Sequence, residues 1–247
     1  MSTAGASQTR VDEVADGLYR ISTPVPPSVI PGGFTFNQFL LVDEQPLLFH
    51  TGMRELFPAV SAAVARVLPL ERLRWVGFSH WEADESGALN LFLAAAPHAR
   101  PVCGQAGAMT TVRDQADREP HVLADGATLR LGTRQVTWLD TPHLPHNWEC
   151  GYLFESHTRT LLCGDLLTHG GSDLPPVTRG DVLGPAEAMR QAMPDAIAPF
   201  GAAQRARLAR LCATEPRLLA IMHGSSYEGD GAAMLRALGE TLAAAAA

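Results

Sequence analysis

Four apolar, β-like runs in this chain each lead into a residue that can bind a metal ion. His80 follows "RWVGFS", His146 follows "VTWLDTPHLP", Asp165 follows "TLLCG" and His223 follows "LLAIM". The ends of adjacent strands in an α/β sheet meet at one crevice, where ligands commonly bind. The recurrence therefore predicts a fold in which these strand ends share an edge and their polar side chains converge.

The order of the predicted elements indicates a layered α/β domain. Strands are predicted at 17–23, 36–43, 45–52, 73–79, 99–104, 127–132, 135–142, 151–156, 159–165 and 217–224. Helices are predicted at 55–68, 87–97, 106–116, 185–193, 201–213 and 231–247. Because helices flank two groups of strands, the sheets are expected in the middle of the domain. We expect one domain over 17–247 and a disordered tail over 1–16.

Composition excludes several classes of protein. The chain of 247 residues carries 19 basic and 26 acidic side chains, and no basic cluster could neutralise a run of phosphates, so nucleic acid is not expected as a partner. The sequence has neither an uninterrupted apolar segment of membrane-spanning length nor a leader-like N-terminus, so we expect a cytoplasmic protein without membrane contact. The four cysteines are far apart and indicate reduced thiols. Phosphate-binding glycine loops are absent, and no flavin or nucleotide site is seen.

The stretch "FSHWEADESG" places His80, Glu82, Asp84 and Glu85 within six positions. Three carboxylates so close together repel one another and need a compensating positive charge. The only basic residue nearby is Arg74, which lies inside the preceding strand. One or two bound cations would supply the missing charge.

Adding the downstream residues gives a candidate site of seven side chains: His80, Glu82, Asp84, Glu85, His146, Asp165 and His223. A single zinc ion takes about four ligands. Seven donors suit two metal ions, about 3.5 to 4 Å apart, that share a bridging carboxylate. An oxygen-rich set with some imidazole favours iron, with manganese or zinc as the alternatives.

This pattern resembles the metallo-β-lactamase fold superfamily, whose hallmark is H-x-H-x-D-H followed by a downstream His, Asp and His. The sequence here reads His80-x-Glu82-x-Asp84-Glu85. Glu in the second position is most similar to the oxygen-binding di-iron branch, the β-lactamase-like half of flavo-diiron proteins. The resemblance covers residues 17–224 and implies a four-layer αββα sandwich.

The resemblance implies a role for each candidate ligand. The first metal would be held by His80, Glu82 and His146, the second by Asp84 and His223, with Asp165 as the bridge. The chain departs from the family pattern at His50, where an Asp is usual, and at Glu85, where a His is usual.

Several assignments stay open at this stage. Glu85 is either a ligand of the second metal or a solvated residue in the first turn of a helix, where the helix dipole favours a carboxylate. The loop "TPHLPHNWE" offers two histidines, of which His146 is the preferred ligand and His143 a pocket residue. His169 either orients a ligand or is structural, and Trp81 and Trp148 either wall the pocket or pack in the core.

Three functions compete. The first is a di-iron protein that binds, reduces or senses dioxygen; because no flavodoxin domain is recognised, it would use a separate electron-donor protein. The second is a metal-dependent hydrolase in which a bridging hydroxide attacks an ester, lactone, thioester or phosphoester. The third is a non-catalytic domain with one metal or none. The oligomeric state is open, a homodimer included.

Overall fold

Two seven-stranded β-sheets lie at the centre of the molecule in a computed structural model that describes residues 9–245. The first sheet contains, in spatial order, β1 (Arg10–Ala15), β2 (Leu18–Val25), β3 (Phe34–Leu41), β4 (Leu47–Phe49), β5 (Trp75–Gly77), β6 (Arg100–Gly104) and β7 (His121–Leu123). The second sheet contains, in spatial order, β12 (Val177–Thr178), β14 (Ser226–Glu228), β13 (Leu218–Ala220), β11 (Thr160–Leu162), β10 (Gly151–Glu155), β9 (Gln135–Asp140) and β8 (Thr128–Arg130).

Helices surround the two sheets. They are α1 (Phe57–Ala65), α2 (Ala83–Ser86), α3 (Leu89–Ala95), α4 (Gln105–Gly107), α5 (Arg113–Gln115), α6 (Leu183–Ala192), α7 (Ala202–Ala213) and α8 (Gly231–Ala245). Single 3₁₀ turns cover Arg54–Leu56, Leu70–Arg72 and Pro194–Ala196, and a π-helical segment, Ala108–Val112, joins α4 to α5. Within residues 9–245, no helix combines the length and apolarity needed to span a membrane.

Alternation along the strands builds three buried layers of side chains. In β4, Leu47 and Phe49 face the second sheet, whereas Leu48 packs with side chains of α1 and α3. In β13, Leu218 faces the first sheet and Leu219 packs with α7 and α8. Because successive side chains of a strand point to opposite faces, each sheet is covered on both sides. The predicted four-layer αββα sandwich is confirmed.

Strand direction explains why the candidate ligands meet. β9 and β11 both run antiparallel to β10, and β11 runs parallel to β13, so β9, β11 and β13 end at the same edge of the second sheet. The loop after β5 joins this edge from the first sheet, since the Gly151 N–H donates to the Ser79 carbonyl at 2.8 Å.

The prediction of a disordered tail over 1–16 is wrong in part. Residues 1–8 lie outside the described part of the chain, but Arg10–Ala15 forms β1 and pairs with β2 in antiparallel register, with Val11 opposite Ile21. The strands β1, β7, β12 and β14 were all missed, because each is short or lies on or near a sheet edge and gains its order from a neighbouring strand. The predicted helix 106–116 is divided by the π-helical segment.

We expect Gly151→Ala to destabilise the fold. A Cβ at Gly151 would lie 2.1 Å from the ring of Trp138, which is 1% exposed and donates its Nε1–H to Asp140 at 2.6 Å. Overpacking of this kind costs about 1–3 kcal/mol or more. Urea denaturation would measure the change in the free energy of unfolding.

Gly107→Ala is the matched control, because a Cβ there meets nothing closer than 3.8 Å. Its effect should stay within about 1 kcal/mol. Equal stability of the two variants would contradict the packing argument.

Candidate metal centre

The loop that follows β5 supplies three of the clustered side chains. His80 is fully buried and leads into the short helix α2, which begins directly after Glu82. The extended backbone of Glu82 and the first helical turn at Asp84 separate the two carboxylates. The side chains of Glu82 and Asp84 are 45% and 19% exposed, so both can reach a ligand from the solvent side.

A first group of donor atoms surrounds Nε2 of His80. His146 Nε2 lies 2.9 Å away and Glu82 Oε2 lies 3.4 Å away. Asp165 Oδ2 is 3.3 Å from His146 Nε2 and 3.7 Å from His80 Nε2. One ligand atom from each of these four residues lies within 4.8 Å of all the others. Donor atoms that each lie about 2.0–2.2 Å from one metal ion are separated from one another by distances of this size.

A second group adjoins the first through Asp165. Its Oδ1 lies 3.2 Å from His223 Nε2, and the same nitrogen lies 3.3 Å from Asp84 Oδ2. The two oxygens of Asp165 are therefore divided between the groups, with Oδ2 facing His146 and Oδ1 facing His223. A two-metal site requires a carboxylate that is shared in this way.

Hydrogen bonds on the far side of two imidazoles orient their Nε2 atoms. His146 Nδ1 is 2.9 Å from the Ala196 carbonyl, and His223 Nδ1 is 2.8 Å from the Thr35 carbonyl. Since a carbonyl only accepts, each Nδ1 carries a proton, and Nε2 is the ring nitrogen that faces the cluster. A metal ion can replace a proton on such an Nε2 atom. The donor set therefore fits metal ions.

Glu85 lies behind His80, away from the cluster. Its Oε2 accepts the backbone N–H groups of Ser79 and His80 at 2.8 Å each, and its Oε1 accepts the Ser79 hydroxyl at 2.5 Å. Ser79 Oγ lies 3.1 Å from His80 Nδ1 and accepts a hydrogen bond from the Nδ1–H group. The hydrogen bonds run from His80 through Ser79 to Glu85, and they leave His80 Nε2 available to a metal ion.

Both expectations for Glu85 need correction. Its oxygens are engaged on the Nδ1 side of the His80 ring, whereas the clustered atom is Nε2, so the structure does not bring it into either donor group. It is also fully buried, so it is not a solvated residue of the helix start. The local sequence cannot show this, because α2 turns Glu85 inward under the preceding loop.

His50 lies against Glu85 and was not among the predicted site residues. Its Nε2 is 3.5 Å from Glu85 Oε1, and its ring is fully buried. Among the described residues neither of its ring nitrogens has a hydrogen-bond partner. Burial lowers the pKa of His50 and favours a neutral ring. The available signal was its place in the family pattern, where an Asp is usual.

The cluster stabilises positive charge. Burial lowers the pKa of His223, but hydrogen bonds to Asp165 and Asp84 outweigh burial and raise this pKa to about 10. The pKa of His80 is raised to about 12, because the Glu85 charge and hydrogen bonds to other side chains outweigh its burial. Burial would raise the pKa of Asp165, but hydrogen bonds from two histidines hold it well below its usual value. An environment that holds protons so strongly also attracts metal cations.

The remaining predicted residues lie around the cluster in different ways. His143 is exposed, whereas His146 joins the donor atoms. Trp81 packs edge-on against Phe78 at 5.5 Å between ring centroids, in agreement with core packing. Trp148 is 55% exposed and does not pack in the core.

Three buried residues hold the turn that carries His223. His169 accepts the Ser225 N–H on Nε2 at 2.9 Å, and its ring lies against Gly224. Arg20 and Asn37 each donate to the Gly224 carbonyl at 2.9 Å. His169 therefore contacts the turn that carries His223, whereas the sequence carried no signal for the contacts of Arg20 and Asn37.

Fold and site together define a domain of the metallo-β-lactamase type. The model of the ODP family beta lactamases matches residues 34–179, more than half of the chain. The chain therefore belongs to the ODP family of beta lactamases, which confirms the resemblance drawn from the ligand pattern.

Individual relatives agree with this assignment. The rubredoxin-oxygen oxidoreductase of Megalodesulfovibrio gigas is 30% identical over 113 residues, which are 45% of this chain and 28% of the relative. The structure of rubredoxin oxygen:oxidoreductase from Desulfovibrio gigas matches with a TM-score of 0.81 at 20% identity, over 96% of this chain and 61% of the other. A flavodiiron core from Synechocystis matches with a TM-score of 0.82 at 19% identity, over 95% and 61%. This chain thus spans about three fifths of those structures.

We expect Ser79→Ala to weaken metal binding. The substitution removes the hydroxyl between His80 Nδ1 and Glu85, so the imidazole is no longer held as a ligand with a free Nε2. Loss of such an outer contact lowers metal affinity about 10- to 100-fold. Competition with a chromophoric chelator would measure the affinity.

The matched control is Ser156→Ala, a serine exposed in the turn after β10. It should bind metal as the unmodified chain does. Unchanged affinity in Ser79→Ala would show that the hydrogen-bond chain does not orient His80.

Proposed function

We propose that this chain holds two iron ions and uses them to bind, reduce or sense dioxygen. The observation that carries the proposal is the division of Asp165 between two donor groups, 3.3 Å from His146 Nε2 on one side and 3.2 Å from His223 Nε2 on the other. The first ion would be held by His80, Glu82 and His146, and the second by Asp84 and His223.

The chemistry of the donors supports iron. Three imidazole nitrogens and three carboxylates converge, and no thiolate is among them. Hard oxygen donors with imidazole suit iron better than metals that prefer sulfur. The two iron ions, when bound, would supply electrons and a binding position for dioxygen. The protein orients the imidazoles through their Nδ1 hydrogen bonds and holds Asp165 ionised between them.

The relatives support a redox role and a separate electron donor. The curated relative and one structural relative are named for rubredoxin and oxygen, and the other structural relative is named as a flavodiiron core. We propose that a small redox protein of the rubredoxin type delivers electrons to this chain. We place the reaction in the cytoplasm, where the four cysteines, all free in the structure, would stay reduced.

Iron loading tests this function. Protein reconstituted anaerobically with ferrous iron should bind about two ions per chain. Exposure to air should then produce a ferric absorption band that disappears on reduction and returns with dioxygen consumption. Asp165→Asn should hold about one ion or fewer, because the shared oxygens are no longer both anionic.

Asp173→Asn is the control, since that carboxylate is 89% exposed and pairs with Arg10 away from the cluster. It should bind iron normally. If the protein instead holds two zinc ions tightly and turns over esters or phosphoesters, the proposal is contradicted and the chain is a hydrolase. Less than half an equivalent of any metal would favour a non-catalytic domain.

A further inference from the structure

A cavity of about 480 Å³ adjoins the cluster of metal-binding side chains. Glu82, Asp84, His146, Asp165 and His223 form its polar end. The cavity extends from there between α6, α8 and the segment 193–197. The lining therefore differs along the cavity, with carboxylates and imidazoles at one end and mainly apolar side chains, together with Glu187, Arg190 and Asp195, in the rest.

The far wall belongs to the interior of the domain. Ala186 of α6 is 7% exposed, and Leu238 and Leu242 of α8 are 8% and 5% exposed. These side chains are part of the core that packs on the second sheet. A macromolecular surface could not reach between two packed helices to contact them, so the far wall is accessible to a small molecule.

The one ion pair in this wall is already satisfied. Arg190 donates to both carboxylate oxygens of Glu187, at 2.7 and 2.6 Å, and both side chains are mostly buried. Because the two charges compensate each other, the α6 wall offers no free charge to a ligand. The body of a ligand held there must be apolar, since a buried polar group without a partner costs free energy.

The volume exceeds what dioxygen needs. An apolar cavity of about 150 Å³ is enough to hold benzene. Pockets for organic ligands occupy about 300–1,000 Å³, are lined mainly by apolar side chains and carry a few polar groups that fix orientation. The cavity has this size and this division of its lining.

We propose that the cavity binds a medium-sized organic molecule, with an apolar body against α6 and α8 and an oxygen donor at the end that faces the metal ligands. The placement of the oxygen donor rests on the proposed function, because a bound metal would attract it. The binding of the apolar body rests on the cavity alone.

Titration of metal-free protein with a series of 1-alkanols, from 1-butanol to 1-decanol, tests the cavity by calorimetry. Each methylene that becomes buried should tighten binding about fourfold, until the chain is longer than the cavity. Affinity that does not depend on chain length would overturn the proposal. This series needs no variant and no bound iron.

A matched pair of variants on α6 locates the binding. Ala186→Leu adds three carbons inside the cavity and should weaken 1-octanol binding by about tenfold or more. Ala188→Leu makes the same change at an exposed position of the same helix and should leave binding unchanged. Equal affinities for the two variants would overturn the assignment to this cavity.

Iron-loaded protein separates this inference from the proposed function. In the iron-loaded protein, added alkyl carboxylates with the same chain lengths as the alkanols should bind with the same dependence on length and should shift the ferric absorption band. If the protein does not bind iron but still binds alkanols with the expected length dependence, the proposed metal function is contradicted and the cavity proposal stands. If the protein binds iron normally but binds no alkanol, the cavity proposal is contradicted and the metal function stands.

Discussion

The site depends on the electrostatic balance around Asp165. Three carboxylates and three imidazoles are held within a few ångströms of one another, so the three negative charges require protons on the imidazoles or metal cations between them. The protein imposes this proximity by ending three parallel-running strands of one sheet at a single edge and by adding the loop after β5 from the other sheet. The raised pKa of His223 and the lowered pKa of Asp165 follow from that proximity, whereas the raised pKa of His80 comes mainly from the charge of Glu85 behind it.

A second set of buried polar residues supports the first. Each clustered imidazole is fixed by an acceptor on its far side, and for His80 that acceptor is a serine hydroxyl polarised by the buried Glu85. The turn of His223 is held by donors from β2 and β3, strands of the opposite sheet. The two sheets are thus joined at the site by polar contacts as well as by the apolar layer between them.

The cavity beside the cluster gives the site a second property. The candidate metal ligands and interior leucines of the α6 and α8 layer line the same space. The fold brings them together because the loops that carry His146 and Asp165 pass beneath the helices that cover the second sheet. An organic ligand there would contact both the metal ligands and the hydrophobic core.

The alternation of apolar residues, the order of strands and helices, and the polar residues after four β-like runs are present in the sequence alone. They determined the layered α/β architecture and the residues that converge, because strand periodicity and strand order follow from local patterns. The two-residue edge strand β12 was not predictable, since its hydrogen bonds come from β14, which is distant in sequence. The positions of Glu85 and His50 were decided only by the tertiary structure. A carboxylate at 85 could face solvent, a metal or the backbone, and the packing of α2 beneath the His80 loop directs it to the backbone amides.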